Sequence, residues 1–310
     1  MSDDSTPARH LPYATGVAGA LLIAFSAILV RLAGVSPSTA AIYRCAYAVP
    51  VLAVLAWRES RRFGPRPWTL RRPALIAGVF FAGDLVAWHY AIDAVGAGLA
   101  TVLGNTQVAM VGVAAWVFLG ERPRRSTVVA VPVVLFGVVL ISGVIGDGAY
   151  GRAPVAGAVF GLLTAAFYAA FILILRHGNS DLRRPAGPLL DATAVGAVVS
   201  LLAALALGDA DVAPQWPAHG WLVVLALTSQ VVAWLLISVS LPRLPAATTS
   251  IVLTLQPVGS VFLGMVLLGE APSPVQLAGV AVVLAGIVMA TLGRGPRLRP
   301  RPTLDPAPSG

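Results

Sequence analysis

The sequence predicts an all-α membrane protein of ten transmembrane helices, arranged as two inverted five-helix repeats. Three observations carry that expectation. Hydrophobic residues make up 57% of the 310 and charged residues only 11%, whereas a domain solvated by water carries about 25% charged residues. Ten apolar runs come close to or reach the length of about 20 residues that a helix needs to cross hydrocarbon. Connections crowded with arginine alternate along the chain with connections that hold almost none. Ten-residue segments of period-two alternation, the mark of a transmembrane barrel, are absent. Helices are the remaining way to satisfy backbone polar groups in lipid.

In chain order the spans read 13–32, 39–57, 73–92, 98–119, 127–145, 154–175, 188–207, 220–241, 246–268 and 275–292. The first is about as long as the nine that follow, so it reads as a retained helix rather than a cleaved signal. Residues 1–12 form a polar N-terminal tail, and 293–310, rich in Arg and Pro, read as a disordered tail. With the N-terminus inside, eighteen of the 21 arginines fall on the cytoplasmic side, in the two tails and the connections after spans two, four, six and eight. That bias predicts cytoplasmic N- and C-termini in a plasma (inner) membrane. It also accounts for the net charge of +8 without a nucleic-acid partner. Cys45 is the only cysteine and lies in an apolar run, so no intramolecular disulfide forms.

The two halves repeat each other. Leu119 to Pro123 (LGERP) matches Leu268 to Pro272 (LGEAP) at an offset of 149, which also aligns Gln107 with Gln256, Glu121 with Glu270 and Gly137 with Gly286. Upstream, Asp84-Leu-Val-Ala-Trp88 matches Gln230-Val-Val-Ala-Trp234 at an offset of 146, with the difference absorbed near the Leu-Pro-Arg-Leu-Pro turn at 241–245. Five spans per half turn the second copy upside down, and its outer turn EAPSP has lost the arginines of ERPRR. Inverted repeats of this kind are a signature of secondary transporters, with the substrate site near the midplane between the halves. The domain reading is therefore a first repeat at 13–145 and a second at 154–292.

On these residues the chain resembles the drug/metabolite transporter (DMT) superfamily, in its ten-helix EamA-type branch. The resemblance covers about 13–292 and rests on Tyr43-Arg44, the two LGE-x-P turns, Gln256-Pro257, Gly137 and Gly286. Val108 stands where the second repeat has Pro257, a departure from the usual pattern. The resemblance implies transport of metabolites, amino acids or organic cations by alternating access, with spans one to four and six to nine around a central cavity. Export is favoured by the resemblance alone.

Polar groups inside the spans are the site candidates, because a charge at the bilayer centre costs about 2.5–3.5 kcal/mol on insertion scales. Asp84 and Gln230 lie near the middle of spans three and eight, and Trp88 and Trp234 follow four residues on, about 40° round the helix. Asp84 either pairs with Arg44 to tie two helices or faces the cavity as a proton-coupling acid. Thr101 and Asn105 make a polar stripe that Ser250 and Thr254 copy. Gln107 and Gln256 are about 200° off that face, so they share it only if the helix unwinds, which Pro257 would permit in span nine. His89 is a second proton-coupling candidate, although local spacing does not place it beside Asp84. Tyr168 is a stacking candidate for the cavity. Arg44 reads as a helix-pairing residue, and Glu121 and Glu270 as caps for the N-terminus of the following helix. Gly157 with Gly161, Ala100 with Gly104, and Ser260 with Gly264 are small pairs that permit close packing.

A phosphate-binding loop of the G-x-x-x-x-G-K-[ST] type is missing, since the chain has no lysine, and so are HExxH and GxSxG. No cofactor, metal or catalytic residue is expected. The rival reading is a membrane-embedded enzyme acting on a lipid through Asp84 and His89. The expected partners are a small-molecule substrate and the bilayer, with the chain a monomer or homodimer.

Overall fold

The computed structural model describes residues 7–120, 125–178, 181, 183–240, 243–244 and 246–292. The predicted cap Glu121 lies outside them, as do the tail residues 1–6 and 293–310; Ser250 is described only as part of its helix backbone. Every described regular element is helical. Seven helices are long and apolar enough to cross a membrane, and three shorter apolar helices, Arg125–Ile141, Val252–Leu268 and Pro274–Ala290, bring the number to ten. The protein is therefore an all-α, multi-pass membrane protein.

Span one is α1 (Pro7–Ala33), helical from six residues before the expected start. Span two is broken into α2 (Pro37–Ala46) and α3 (Ala48–Phe63). Pro50, in the first turn of α3, has no N–H to give the carbonyl of Ala46, so the ladder is interrupted at Tyr47. Span three is α4 (Trp68–Val95), and span four is split into α5 (Ala97–Asn105) and α6 (Gln107–Leu119). The split centres on Thr106, whose N–H bonds back only three residues to the Leu103 carbonyl and whose hydroxyl donates to the same oxygen. Spans five to seven are α7 (Arg125–Ile141), α8 (Pro154–Gly178) and α9 (Ala186–Leu207). Span eight runs through α10 (Ala218–Leu225), a π-helical stretch (Ala226–Ala233) and α11 (Trp234–Ser240). Spans nine and ten are α12 (Ala246–Leu268) and α13 (Pro274–Leu292).

One correction concerns span nine. The unwinding that Pro257 would permit does not occur: α12 runs through Pro257 unbroken, and the break falls at Thr106 in the other repeat.

Small residues set the closest approaches. A Cβ on Gly161 would sit 2.4 Å from the Leu103 side chain, and one on Gly157 would sit 2.2 Å from Val95. These glycines let α8 reach α4 and α5 closely enough for dispersion contact, the dominant attraction between helices in lipid. Gly137 on α7 meets Gly279 and Val283 on α13, where an added Cβ would come within 2.7 Å of the valine. Spans five and ten thus pack as a pair, and seven of the other eight spans line the cavity between the repeats.

Candidate functional site

A cavity of about 90 Å³ lies between the repeats. Its wall includes Ile23 and Ser26 of α1, Arg44 of α2, Phe81, Asp84 and Trp88 of α4, and Thr101 and Asn105 of α5. Gln107 of α6, Thr164 and Tyr168 of α8, Trp234 of α11, and Leu253 and Gln256 of α12 also line it. Each repeat therefore contributes one tryptophan, as the repeated Val-Ala-Trp predicts.

Arg44 is buried at 4% exposure on a helix that ends two residues later at the Tyr47 break. Its Nε donates to the Gln230 Oε1 at 3.1 Å, and the Gln230 amide in turn donates to the Thr193 hydroxyl at 3.0 Å. The guanidinium carbon stands 5.5 Å from the centre of the Trp88 ring, a cation–π arrangement. Among the described hydrogen bonds Arg44 uses only Nε, so its two terminal nitrogens remain available at the cavity wall.

Asp84 is 6% exposed and makes no hydrogen bond or ion pair among the described residues. Of the two alternatives for Asp84, a direct pair with Arg44 is absent as a contact, while both groups line the same cavity. The structure replaces it with Arg44–Gln230. Gln230 itself, expected on the wall, stands behind the arginine. The reason is local: residues 226–233 adopt π-helical turns, which change the angular step per residue and aim Gln230 at α2 and α9.

The far wall is aromatic. Trp234 packs edge-on against Phe171 at 5.7 Å and lies 6.1 Å from Tyr168, and Phe81 stacks near Phe171 at 4.9 Å between ring centres. Among the described residues, the Trp234 Nε1–H and the Thr164 hydroxyl are buried without a hydrogen-bond partner. Unsatisfied buried donors are rare in folded proteins and mark places where a water or ligand belongs.

The remaining predicted residues divide. The Thr101 hydroxyl and the Asn105 amide donate to the carbonyls of Ala97 and Thr101, one turn back, and both side chains line the cavity. Gln107 shares that wall because the break at Thr106 rotates α6 relative to α5, and Gln256 lines the cavity from the unbroken α12. Thr254 is not among the lining residues, and the Ser250 side chain lies outside the described residues. His89 packs against Trp88 at 5.3 Å between ring centres, buried and off the wall. Ser26 and Thr164 were missed in the sequence. The signal for Thr164 was present, since it precedes Tyr168 by one helical turn in span six.

Glu270 makes a cap of a different kind from the one expected. Its carboxylate accepts from the backbone N–H groups of Ala97 at 2.5 Å and Gly98 at 3.0 Å, so it caps α5 of the other repeat rather than the following α13. Gly96 and Gly264 make room for it: an added Cβ would lie 2.6 and 2.3 Å from its oxygens.

A second, larger cavity of about 1050 Å³ lies between α4, α6, α7 and α8 on the arginine-rich side. Apart from Arg72 and Thr106 its wall is apolar, including Ile76, Val113 and Leu135. Among the described residues, no group of three or more His, Cys, Asp or Glu side chains is placed to hold a metal ion.

A solved crystal structure of a protein shares the fold, with a TM-score of 0.57 and 18% identity over 91% of this chain and 96% of the other. No curated protein matches the chain. The model of the EamA-like transporter family matches twice, over residues 11–143 and 155–292, so both inverted halves are covered and the chain belongs to the EamA-like transporter family.

Proposed function

We propose that this transporter is a secondary carrier that exports a small zwitterionic metabolite across the plasma (inner) membrane by alternating access, as a monomer or homodimer with both termini in the cytoplasm. One observation carries the substrate class: Arg44 and Asp84 face the same cavity as opposite charges that do not pair with each other. A carboxylate fits the fork of Arg44 together with the free Trp234 N–H, because the guanidinium presents planar, bidentate donors. An ammonium group fits Asp84, and the aromatic wall of Phe81, Tyr168 and Trp234 accepts an apolar side chain. Ligand sites commonly enclose about 300–1,000 Å³, so the cavity of about 90 Å³ corresponds to contracted walls that must part for loading. The direction of transport rests on the resemblance to exporters, and the orientation on the arginine bias.

The test is counterflow of neutral L-amino acids in proteoliposomes. Arg44→Gln and Asp84→Asn should each lower counterflow at least tenfold at unchanged protein abundance. If both variants exchange the amino acids at the native rate, the substrate site lies elsewhere.

That Asp84 has no hydrogen bond or ion pair among the described residues favours a second reading, in which its carboxyl carries the coupling proton. Asp84→Asn would then retain exchange while losing accumulation driven by a pH gradient, because exchange needs no net proton movement. A lipid-modifying enzyme would instead need Asp84 and His89 in one site, and His89 is off the cavity wall.

A further inference from the structure

Two acidic residues cap each other's helices across the inverted repeat. Glu59, near the end of span two, accepts from the N–H groups of Ala186 and Gly187 at 2.9 Å each, at the start of span seven. Asp209, just past the end of span seven, accepts from the Ser38 N–H at 3.3 Å, at the start of span two. Ser38 and Gly187 are 149 positions apart and Glu59 and Asp209 are 150 apart, three to four more than the offset of 146 that relates Asp84 to Gln230 in the neighbouring spans. Spans two and seven are thus each capped by an acid of the other span, on opposite faces of the membrane.

From this we infer that spans two and seven form a fixed post, held by Glu59 and Asp209 as reciprocal positioning residues, while the gate lies at spans four and nine. Alternating access requires a pair of elements whose contact is made on one face and released on the other. Spans two and seven are capped on both faces at once, so rocking them apart at either end would strand buried amides and a carboxylate. Packing agrees, since both α2 and α3 lie along α9. On the arginine-rich face the joint is reinforced by Arg66 and Arg71 on Asp191, at 2.7 and 3.2 Å. On the other face the loop after α9 is tied down by the Ser36 hydroxyl on the Asp209 carbonyl and by Tyr90 on its carboxylate. The post also carries the anion subsite: Arg44 belongs to span two, and Thr193 of span seven holds Gln230 against it. Substrate bound at Arg44 therefore stays with the post while other walls move.

Glu270 is the latch of the gate. It closes span nine onto span four at the face opposite the arginines, and its glycine surroundings at Gly96 and Gly264 admit the carboxylate only when the two helices are in close contact.

The inference rests on alternating access but not on the substrate. In a Cys45→Ala background, Asn105→Cys reports cavity access to an impermeant maleimide. A short thiol cross-linker joining Ser38→Cys to Asp209→Cys and Glu59→Cys to Ala186→Cys should leave labelling from the Glu270 face within twofold. Joining Ala97→Cys to Glu270→Cys should slow that labelling at least tenfold. The assignment is overturned if locking spans two and seven blocks labelling, or if locking spans four and nine does not. Hydrogen exchange on the unsubstituted protein gives an independent reading: the amides of Ala97 and Gly98 should exchange at least tenfold faster than those of Ala186 and Gly187. Equal protection, or the reverse order, refutes the assignment. A cavity cysteine that stays unlabelled without cross-linker would count against the transport reading itself, and amide exchange would then decide the latch assignment.

Discussion

Arg44 shows how much one side chain depends on its supports. Its charge is taken out of water and held, among the described residues, by one hydrogen bond to Gln230 and by the face of Trp88. Gln230→Leu should therefore misplace the guanidinium and reduce transport at least tenfold, since hydrogen bonds to charged groups contribute about 1.5–3 kcal/mol. Thr193→Val should do less, and the two changes should be non-additive by roughly 0.5–3 kcal/mol in a double-mutant cycle, because both act through one chain of contacts. Additive losses would mean that Thr193 supports something other than Arg44. On the opposite wall, Trp234→Phe keeps the ring and deletes the unpartnered N–H. Affinity for the carried molecule should fall about fivefold, the worth of about 1 kcal/mol. Unchanged affinity would remove that donor from recognition.

At the level of the helices, each departure from a plain span has a local cause and a consequence for the site. Pro50 breaks span two just beyond Arg44, the turn at Thr106 swings Gln107 onto the cavity wall, and the π-helical stretch turns Gln230 away from it. Where helices run straight, glycine sets their distance. Gly161→Leu would force a branched side chain into the Leu103 contact, where even a Cβ would be 2.4 Å from its neighbour. Overpacking of this kind costs about 1–3 kcal/mol, so thermal unfolding in detergent should shift down by several degrees. Val198→Leu, at an exposed site on α9, should leave the transition in place. Equal melting of the two variants would show that α8 is not held tightly against α5.

For the molecule as a whole, the arginine bias makes an orientation testable. In the Cys45→Ala background, cysteines at the exposed positions Asp147 and Val212 should react with an impermeant thiol reagent added outside intact cells. Those at Arg61 and Arg125, exposed on the other face, should not. Reversed labelling would overturn the orientation.

The sequence alone determined the ten spans, the two repeats, their opposite orientation and the family, because the bilayer turns run length and charge placement into structure without long-range information. It also marked Asp84, Trp88, Thr101, Asn105, Tyr168, Trp234 and Gln256, all of which line the cavity. Tertiary structure decided the pairing. No local spacing connects Arg44 to Gln230 across 186 residues or Glu270 to Ala97 across 173. The facing of Gln107 and Gln230 depends on a break and a π-helical stretch, whose angular offsets a constant step of 100° per residue cannot anticipate. Ser26 and Thr164 entered the wall for the same reason: a polar residue in a membrane helix announces that it needs a partner, and only the packed helices determine what it faces.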